Sequence, residues 1–149
     1  MAVDIEKLGR AIKQAQWRHH RALDARLHVI GSTLVQWDAL REIAANPGAS
    51  AHDLAMATFQ SDQAFGTLAN RLVGQGLIER RPGHGRRIAH YPTPSGQATL
   101  SAGRRVAREV FTESFADLSD RDRQQLLTLL DRLATGSHAA QTKSTGNAN

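Results

Sequence analysis

The chain has 149 residues, of which 40% are hydrophobic and 22% are charged, and its formal net charge at pH 7 is +5. These values are typical of one globular domain with a core of its own, and the basic balance favours a polyanionic partner such as nucleic acid. The sequence has no cysteine and no apolar run of membrane-spanning length, which excludes disulfides, cysteine-based redox sensing and zinc ribbons and predicts a cytoplasmic protein.

The N-terminal third is predicted to form two helices joined by a tight turn. Apolar residues recur every three or four positions from Asp4 to Ile30, which predicts one long amphipathic helix, and no signal peptide is expected there. Gly31 ends that helix, and Ser32 is expected to cap a second helix from Thr33 to Ala45. The segment Asn46-Pro47-Gly48 then stops the second helix.

A helix, a short turn and another helix are predicted between Ser50 and Gln75. Ser50 is placed to cap a helix that ends at Thr58, and a turn follows at residues 60–62. The next helix begins at Ser61 and carries an apolar stripe, and Gly76 suits a left-handed stop after it. The stripe comprises Phe65, Leu68, Leu72 and Val73.

Two short strands are predicted after this helix pair, from Leu77 to Arg81 and from Ile88 to Thr93. The turn between them, Pro82 to Arg87, is rich in glycine and arginine and has little to bury. A helix pair with a three-residue turn, followed directly by an arginine-tipped hairpin, is typical of a winged helix-turn-helix that contacts DNA. The alternative is that any small domain can contain two helices and a hairpin.

Two further helices are predicted in the C-terminal part of the chain. One runs from Ser95 to Phe115, and a second, capped by Ser119, runs from Asp120 to Leu133 and is rich in leucine. Residues 135–149 are rich in Ser, Thr, Ala and Gln with little to bury, so this tail is expected to be mobile.

These elements predict a mainly α fold with a small β-hairpin wing: a winged helix-turn-helix flanked by N- and C-terminal dimerisation helices. The DNA-binding domain is assigned to residues 32–94, the dimerisation helices to residues 1–31 and 95–134, and the mobile tail to residues 135–149. A symmetric homodimer would cover the apolar stripes of the terminal helices and place two recognition helices about 34–36 Å apart, in adjacent major grooves of a palindrome. The alternative is that these helices cover the core of a single monomer.

The chain resembles the MarR family of bacterial transcription regulators over nearly its whole length. The markers, in chain order, are Leu34-x-x-Trp37-x-x-Leu40, Asn46-Pro47-Gly48-x-Ser50-x-x-x-Leu54-Ala55, Asn70-Arg71-Leu72-x-x-x-Gly76-Leu77-Ile78-x-Arg80, Thr93-x-x-Gly96 and Leu118-Ser119-x-x-Asp122. The resemblance implies a homodimer that binds a palindromic operator, usually as a repressor, and releases DNA when a small, often aromatic, molecule binds. Two positions depart from the family pattern: Gly66-Thr67 replaces a Thr-Arg pair, and His84-Gly85-Arg86 replaces Asp-x-Arg in the wing.

One face of the recognition helix is expected to lie on DNA. The residues expected there are Ser61, Gln63, Ala64, Thr67, Asn70 and Arg71. Gln63 and Thr67 are expected to read base edges, because amide and hydroxyl groups hydrogen-bond to them. Phosphate contacts are expected from Arg71, Ser50, His52 and Arg87. Arg86 is expected in the minor groove, because narrow A·T-rich grooves concentrate negative potential; the alternative for each arginine is a solvated surface charge.

A sensing site for a small molecule is expected between the predicted dimerisation helices and the winged domain. Its candidate residues are Trp17, His20, Arg21 and His28 from the first helix and Trp37 and Arg41 from the second. Aromatic walls with an arginine suit a planar organic anion. The alternative for the two tryptophans is packing in the core.

Other classes of function have weaker support in the sequence. His20, Asp24 and His28 recur at every fourth position, but the outer pair would lie about 12 Å apart, too far to share one ion. No metal site or cofactor is therefore assigned, and a metal-responsive regulator is a lesser alternative. No phosphate-binding loop, catalytic-serine motif or zinc-protease motif occurs, so no enzyme is expected. The main alternative is an architectural DNA-binding protein without an effector.

Overall fold

A computed structural model describes the backbone of residues 1–144 and the side chains of residues 1–136. Within this part the chain forms helices and one antiparallel hairpin, which confirms the predicted fold class. The elements are α1 (Ile5–Val29), α2 (Leu34–Ala45), α3 (Ala51–Ala57), α4 (Asp62–Gly74), β1 (Ile78–Pro82), β2 (Ile88–Pro92), α5 (Pro94–Ser114) and α6 (Asp120–Ser144). The predicted end of α6 at Leu133 was too early. Mobility of the tail stays a prediction, and residues 145–149 lie outside the described residues.

Short polar side chains begin most of the helices, as the sequence predicts. The hydroxyl oxygens of Ser50 and Ser61 accept the backbone N–H groups of Asp53 and Ala64, at 3.3 and 3.1 Å. Ser119 accepts from Asp122 in the same way, at 3.1 Å. Each bond satisfies an N–H group that the first helical turn leaves without a backbone partner.

The expected cap of α2 at Ser32 was wrong by one residue. Thr33 is the N-cap, and its hydroxyl oxygen accepts the N–H of Gln36 at 3.1 Å. Ser32 instead helps to close α1, because its N–H donates to the carbonyl of Leu27 at 3.0 Å just after Gly31, whose φ is +78°. The residues that end α1 therefore directly precede α2, so that Ser32 closes the first helix and Thr33 begins the second.

Helices α2, α3 and α4 and the first strand enclose one apolar cluster, which we call the module core. It consists of Ala39, Leu40, Ile43, Leu54, Ala55, Phe65, Leu68, Ala69, Leu72 and Ile78. Helix α4 contributes residues at positions i, i+3, i+4 and i+7, the spacing of one helix face. Val73 was expected on this face but is exposed, because it lies one residue, or about 100°, beyond Leu72.

A second apolar cluster joins α1, α2 and α5. It consists of Leu23, Leu27, Leu34, Trp37, Leu100, Ala107 and Val110. The indole N–H of Trp37 donates to the carbonyl oxygen of Leu100 at 3.2 Å. Gly103 allows this close approach, since a Cβ there would lie 2.1 Å from Nε1 of Trp37.

Residues 1–111 and 112–149 form two compact units, and both carry exposed apolar side chains on long helices. In the first unit, α1 buries Leu23 and Leu27. It leaves Ile5, Leu8, Ile12 and Val29 exposed. In the second unit, α6 exposes Leu126, Leu127, Leu129 and Leu130. None of the described helices is long and apolar enough to span a membrane.

The hairpin is tied to the loop between α2 and α3. Its two strands pair antiparallel, with Arg80 opposite His90. The N–H of Gly48 donates to the carbonyl of His90 at 2.9 Å, and the N–H of His90 donates to the carbonyl of Ala49 at 3.2 Å. The strand β2 therefore has backbone partners on both sides, which anchors the base of the wing and leaves its tip in solvent.

Candidate nucleic-acid interface

Helix α4 presents a polar face opposite the stripe that it buries in the module core. Gln63, Thr67 and Asn70 follow one another at spacings of four and three residues, so their side chains project from the same side of the helix. All of the predicted DNA-facing residues of this helix and its cap are exposed, namely Ser61, Gln63, Ala64, Thr67, Asn70 and Arg71. The structure thus brings the predicted set together on one surface.

Two side chains on this face already have hydrogen-bond partners. The hydroxyl of Thr67 donates to the backbone carbonyl of Gln63 at 3.1 Å, so toward solvent it acts as an acceptor. The amide oxygen of Asn70 accepts a hydrogen bond from Nη2 of Arg80 at 2.8 Å. Because that oxygen is occupied by a strand residue, Asn70 faces solvent mainly with its amide N–H groups.

Gly66 lies in the interior of α4, and a Cβ there would meet no atom within 4 Å. This differs from Gly103, which is needed for close packing. The glycine therefore does not serve contact between α4 and a neighbouring helix within the chain. It leaves a stretch of α4 backbone accessible between Gln63 and Thr67.

An exposed contact between a histidine and an aspartate joins the first turns of α3 and α4. Nδ1 of His52 lies 2.9 Å from Oδ1 of Asp62, the first residue of α4. A carboxylate at this position favours the helix through its dipole but would repel a phosphate. His52, which was expected to contact phosphate directly, is therefore also engaged by this carboxylate.

The wing brings together several side chains that the sequence analysis assigned to phosphate. Arg86 and Arg87 are exposed at the tip, where Gly85 has a φ of +64°. Ser50, Arg87 and His84 line the same cavity of about 460 Å³ between the wing and the start of α3. Arg87 places a cation on the wing side of this surface, which suits a phosphate backbone, and Asp53 places a carboxylate on the α3 side.

The candidate ligand residues on α1 form an exposed aromatic group. The Trp17 ring, 60% exposed as a residue, stacks on His20 with a centroid distance of 6.1 Å and an interplanar angle of 7°. The guanidinium carbon of Arg21 lies 5.9 Å from the centre of the same ring. Trp17 and His20 also line a shallow depression of about 270 Å³ with Lys13 and Gln16.

The candidate residues on α2 form a separate group. Trp37 is only 4% exposed and belongs to the second apolar cluster, so it packs as a core residue. Arg41 covers this ring, with its guanidinium carbon 5.1 Å from the ring centre, and pairs with Asp38 at 3.2 Å. Burial raises the pKa of the Asp38 carboxyl despite the opposing charge of Arg41.

The histidines and aspartate of α1 are engaged in local contacts. Nδ1 of His28 lies 2.7 Å from the backbone carbonyl of Asp24, and the Asp24 carboxylate accepts the N–H of Leu34 at 2.9 Å. Among the described residues, no group of three or more His, Asp or Glu side chains is arranged to hold a metal ion. Through its bond to the N–H of Leu34, Asp24 connects α1 with the start of α2.

Two residues at the base of the wing were missed as site residues. Arg80 was recognised only as a family marker, although its bond to Asn70 reaches the recognition helix. His90 was not singled out and is 2% exposed in β2. Burial lowers the pKa of His90, a hydrogen bond with the carbonyl of Ala49 opposes that shift, and the charge of Arg80 lowers it further. The signal that could have found His90 is a histidine at an inward position of a short strand.

Comparison with known proteins agrees with this arrangement. The sequence model of the MarR family matches residues 30–88. The crystal structure of a probable transcriptional regulator from Pseudomonas aeruginosa is similar, with 32% identity over 84% of this chain and 95% of that protein and a TM-score of 0.73. No curated protein sequence matches this chain.

Two more distant structures share the fold. A mutant of MarR from Escherichia coli, solved in complex with operator DNA, has 21% identity and a TM-score of 0.78 over 88% of this chain and 99% of that protein. A MarR family protein from Mycobacterium tuberculosis, solved in complex with p-aminosalicylic acid, has 24% identity and a TM-score of 0.73. Their alignment covers 85% of this chain and 98% of the mycobacterial protein.

The open surroundings of Gly66 lead to a prediction about stability. Gly66→Ala should raise the free energy of unfolding by about 0.5–1 kcal/mol, because alanine favours the helix and its Cβ meets no neighbour. Urea denaturation followed by circular dichroism measures this change. The matched control is Gly103→Ala, which should lower stability because its Cβ would overlap Trp37. A loss of stability in Gly66→Ala would show that this glycine is packed rather than open.

Proposed function

The chain belongs to the MarR family of transcription regulators, and from that premise we propose that it is a dimeric repressor that binds a palindromic operator and leaves it when a small planar aromatic anion binds. Family members act by binding DNA and not by catalysis, and the 32% identical regulator extends the likeness over 84% of this chain. We expect the protein to act in the cytoplasm, where a bacterial regulator meets its DNA.

One observation carries the proposal: the exposed polar face of α4 and the arginine-tipped wing lie in the same compact unit. Helix α4 has 13 residues and is therefore about 20 Å long, which suits a major groove. In the proposed complex Gln63 and Thr67 meet base edges there. The wing then follows the phosphate backbone, so that Arg86 enters the adjacent minor groove.

Phosphate contacts are proposed on both sides of the recognition helix. Ser50 and Arg87 face one cavity, which a single phosphate backbone would occupy, and Arg71 lies farther along α4. Nδ1 of His52 lies 2.9 Å from the Asp62 carboxylate at the start of α4, on the same side of the module. These contacts carry no base information, but they fix the register of the module on the duplex. The formal net charge of +5 supports the electrostatic part of the binding.

We propose dimerisation through residues 1–31 and 95–134, because the long helices α1 and α6 expose apolar side chains that water would otherwise solvate. A second copy of the chain would cover these surfaces by a two-fold symmetric arrangement. The same symmetry would present two copies of α4 to the two halves of a palindrome. The alternative, a monomer whose terminal helices cover its own core, predicts that these leucines are dispensable for self-association.

A planar aromatic anion is the proposed effector. The relative from Mycobacterium tuberculosis was solved with p-aminosalicylic acid, a compound of this class. In this chain Trp17, His20 and Arg21 offer an aromatic surface and a cation on α1, with His28 farther along the same helix. On α2 the buried Trp37 supports Arg41. We propose that Arg41 adds a second cation to the site, while Arg21 pairs with the carboxylate.

The operator proposal is tested by the wing variant Arg86→Ala. Fluorescence anisotropy with the duplex upstream of the gene should show at least about tenfold weaker binding than the unmodified protein, because one groove contact is lost. Arg104→Ala is the matched control, since it removes an exposed arginine of α5, outside the winged module. A scrambled duplex, measured over a salt series, reports the non-specific binding.

Three results would contradict parts of this proposal. Equal losses in Arg86→Ala and Arg104→Ala would remove the wing from the mechanism. Equal and salt-sensitive binding to both duplexes by the unmodified protein would favour an architectural DNA-binding protein. Absence of binding to any duplex at low salt would overturn the proposal of DNA binding by this surface.

The dimer proposal predicts that charges on the leucine face of α6 separate the two copies. The double substitution of Leu127→Glu and Leu130→Glu should weaken self-association by at least about 30-fold, because four carboxylates would be placed in one apolar interface. Sedimentation velocity over a concentration series measures the change. Met56→Glu is the control, because it places a carboxylate at an exposed methionine of α3, outside this face. An unchanged dimer in the double variant would exclude this face of α6 from the interface.

The effector proposal predicts that p-aminosalicylate raises the Kd for the upstream duplex. The increase should be about fivefold or more at saturation, the usual range of coupling between two sites. Arg21→Ala should reduce this response while binding DNA as well as the unmodified protein when no anion is present. Benzoate lacks the ring hydroxyl and the amine, so its effect on the Kd shows how much of the response the ring and the carboxylate produce without them. If neither anion changes the Kd, the proposal that the effector is a planar aromatic anion is wrong.

A further inference from the structure

The cross-strand pair Arg80 and His90 lies where the wing meets the recognition helix. These residues are directly opposite each other in the antiparallel hairpin, and opposite residues project from the same face of a sheet. That face is turned toward α4, because each of the two side chains contacts a residue of that helix. The pair is therefore a link between the two elements that are proposed to enter the DNA grooves.

His90 provides the buried half of this link. Its Nδ1 lies 3.0 Å from the carbonyl oxygen of Ala49. Since a carbonyl oxygen only accepts, Nδ1 carries the proton and Nε2 is unprotonated in the neutral ring. The ring also meets Phe65 of α4 edge-on, with a centroid distance of 6.3 Å and an interplanar angle of 75°. One side chain thus joins β2, the loop before α3, and α4.

Arg80 provides the exposed half. Its Nη2 donates to the amide oxygen of Asn70 at 2.8 Å, five residues along α4 from Phe65. The two points of contact are therefore separated by about 7.5 Å along the helix axis. These two contacts add to the burial of α4 in the module core and join the helix to both strands of the wing.

We propose that Arg80 and His90 form a cross-strand clasp that positions α4 against the wing, and that His90 must be uncharged for the clasp to hold. This inference rests on the proposed operator binding, because it concerns how the recognition helix and the wing are kept in register. Its consequence is that operator binding weakens with acidification through a histidine that does not touch DNA.

The environment of His90 explains why its charge matters. The charged and titratable groups on the elements packed around it are Glu79, Arg80 and Arg81 on β1, Asp38, Arg41 and Glu42 on α2, His52 and Asp53 on α3, and Asp62 and Arg71 on α4. Of these, the Arg80 guanidinium acts on His90 and disfavours a second positive charge. A protonated ring would be buried beside Phe65 with a cation opposite it.

The direction of the pH effect follows from this environment. Burial lowers the pKa of His90 from its ordinary value of about 6.5. An unfolded or opened chain therefore takes up the proton first as the pH falls below about 6.5. The stabilising contribution of the clasp is complete above that pH and is lost as the pH falls toward the lowered pKa. States in which the clasp is open are favoured by acid.

Two other histidines, His52 and His84, lie on the proposed DNA surface, so a pH series on the unmodified protein does not report on His90 alone. Only a comparison between matched variants separates the contribution of His90 from that of the surface histidines.

The test compares His90→Gln with His84→Gln and the unmodified protein. Glutamine can donate to the carbonyl of Ala49 but does not titrate. Fluorescence anisotropy with the upstream duplex gives the Kd at pH values from 8 to 5.5. The ratio of the Kd of the unmodified protein to that of His90→Gln should rise by about fivefold or more over this range. The His84→Gln control should keep the acid weakening of the unmodified protein.

A second variant and a DNA-free measurement keep the test decisive. Arg80→Gln should weaken binding at pH 8, because it breaks the bond to Asn70, and should show a shallower loss with acid. Urea denaturation without DNA should show that acidification from pH 8 to 5.5 destabilises the unmodified protein more than His90→Gln. If His90→Gln fails to fold, Arg80→Gln carries the comparison.

Each outcome separates this inference from the proposed function. Parallel Kd profiles for His90→Gln and the unmodified protein, with tight binding at pH 8, would overturn the clasp and leave operator binding intact. Absence of binding by the unmodified protein at pH 8 would overturn operator binding and, with it, the role of the clasp in positioning α4 on DNA. The denaturation experiment would then report only whether acid destabilises the folded chain through His90.

Discussion

The burial of one stripe of α4 in the module core is the constraint on which the DNA-binding arrangement depends. Phe65 and Leu72 are fully buried, and burial of one such side chain contributes about 1.5–3 kcal/mol. The burial of this stripe fixes the orientation of α4 about its axis. The opposite, polar face with Gln63 and Thr67 must therefore lie in solvent. The same Phe65 meets His90, so the core also determines where the base of the wing lies.

The sequence predicts this much because the relevant signals are local. A serine at Ser50 or Ser61 caps the helix that follows it, and Gly76 adopts a φ of +72° directly after α4. Each of these features depends on residues within about four positions of one another, so a short stretch of sequence is enough to predict it. The error at Ser32 arose where two such stretches overlap, because the residues that close α1 also precede the start of α2.

The contacts that the sequence did not reveal join distant parts of the chain. His90 and Ala49 are 41 residues apart, and their hydrogen bond depends on how β2 lies against the loop before α3. Trp37 illustrates the same difficulty, because an amphipathic helix can turn a tryptophan toward a pocket or a core. Only the close approach of α5 at Gly103 and the bond to Leu100 place this ring in a core.

In the proposed mechanism operator affinity depends on dimerisation. Helix α1 matters because it carries both a proposed dimer surface and the proposed effector site. A single winged module makes few base contacts, whereas two linked modules bind the second half-site at a high effective concentration. An anion at Trp17 and Arg21 would bind to the helix that also carries exposed Ile5 and Leu8. It could therefore release DNA without touching α4, by favouring a dimer geometry in which the two recognition helices no longer match one palindrome. Such an effector needs a different affinity for the two geometries, and equal affinity would leave the operator occupied.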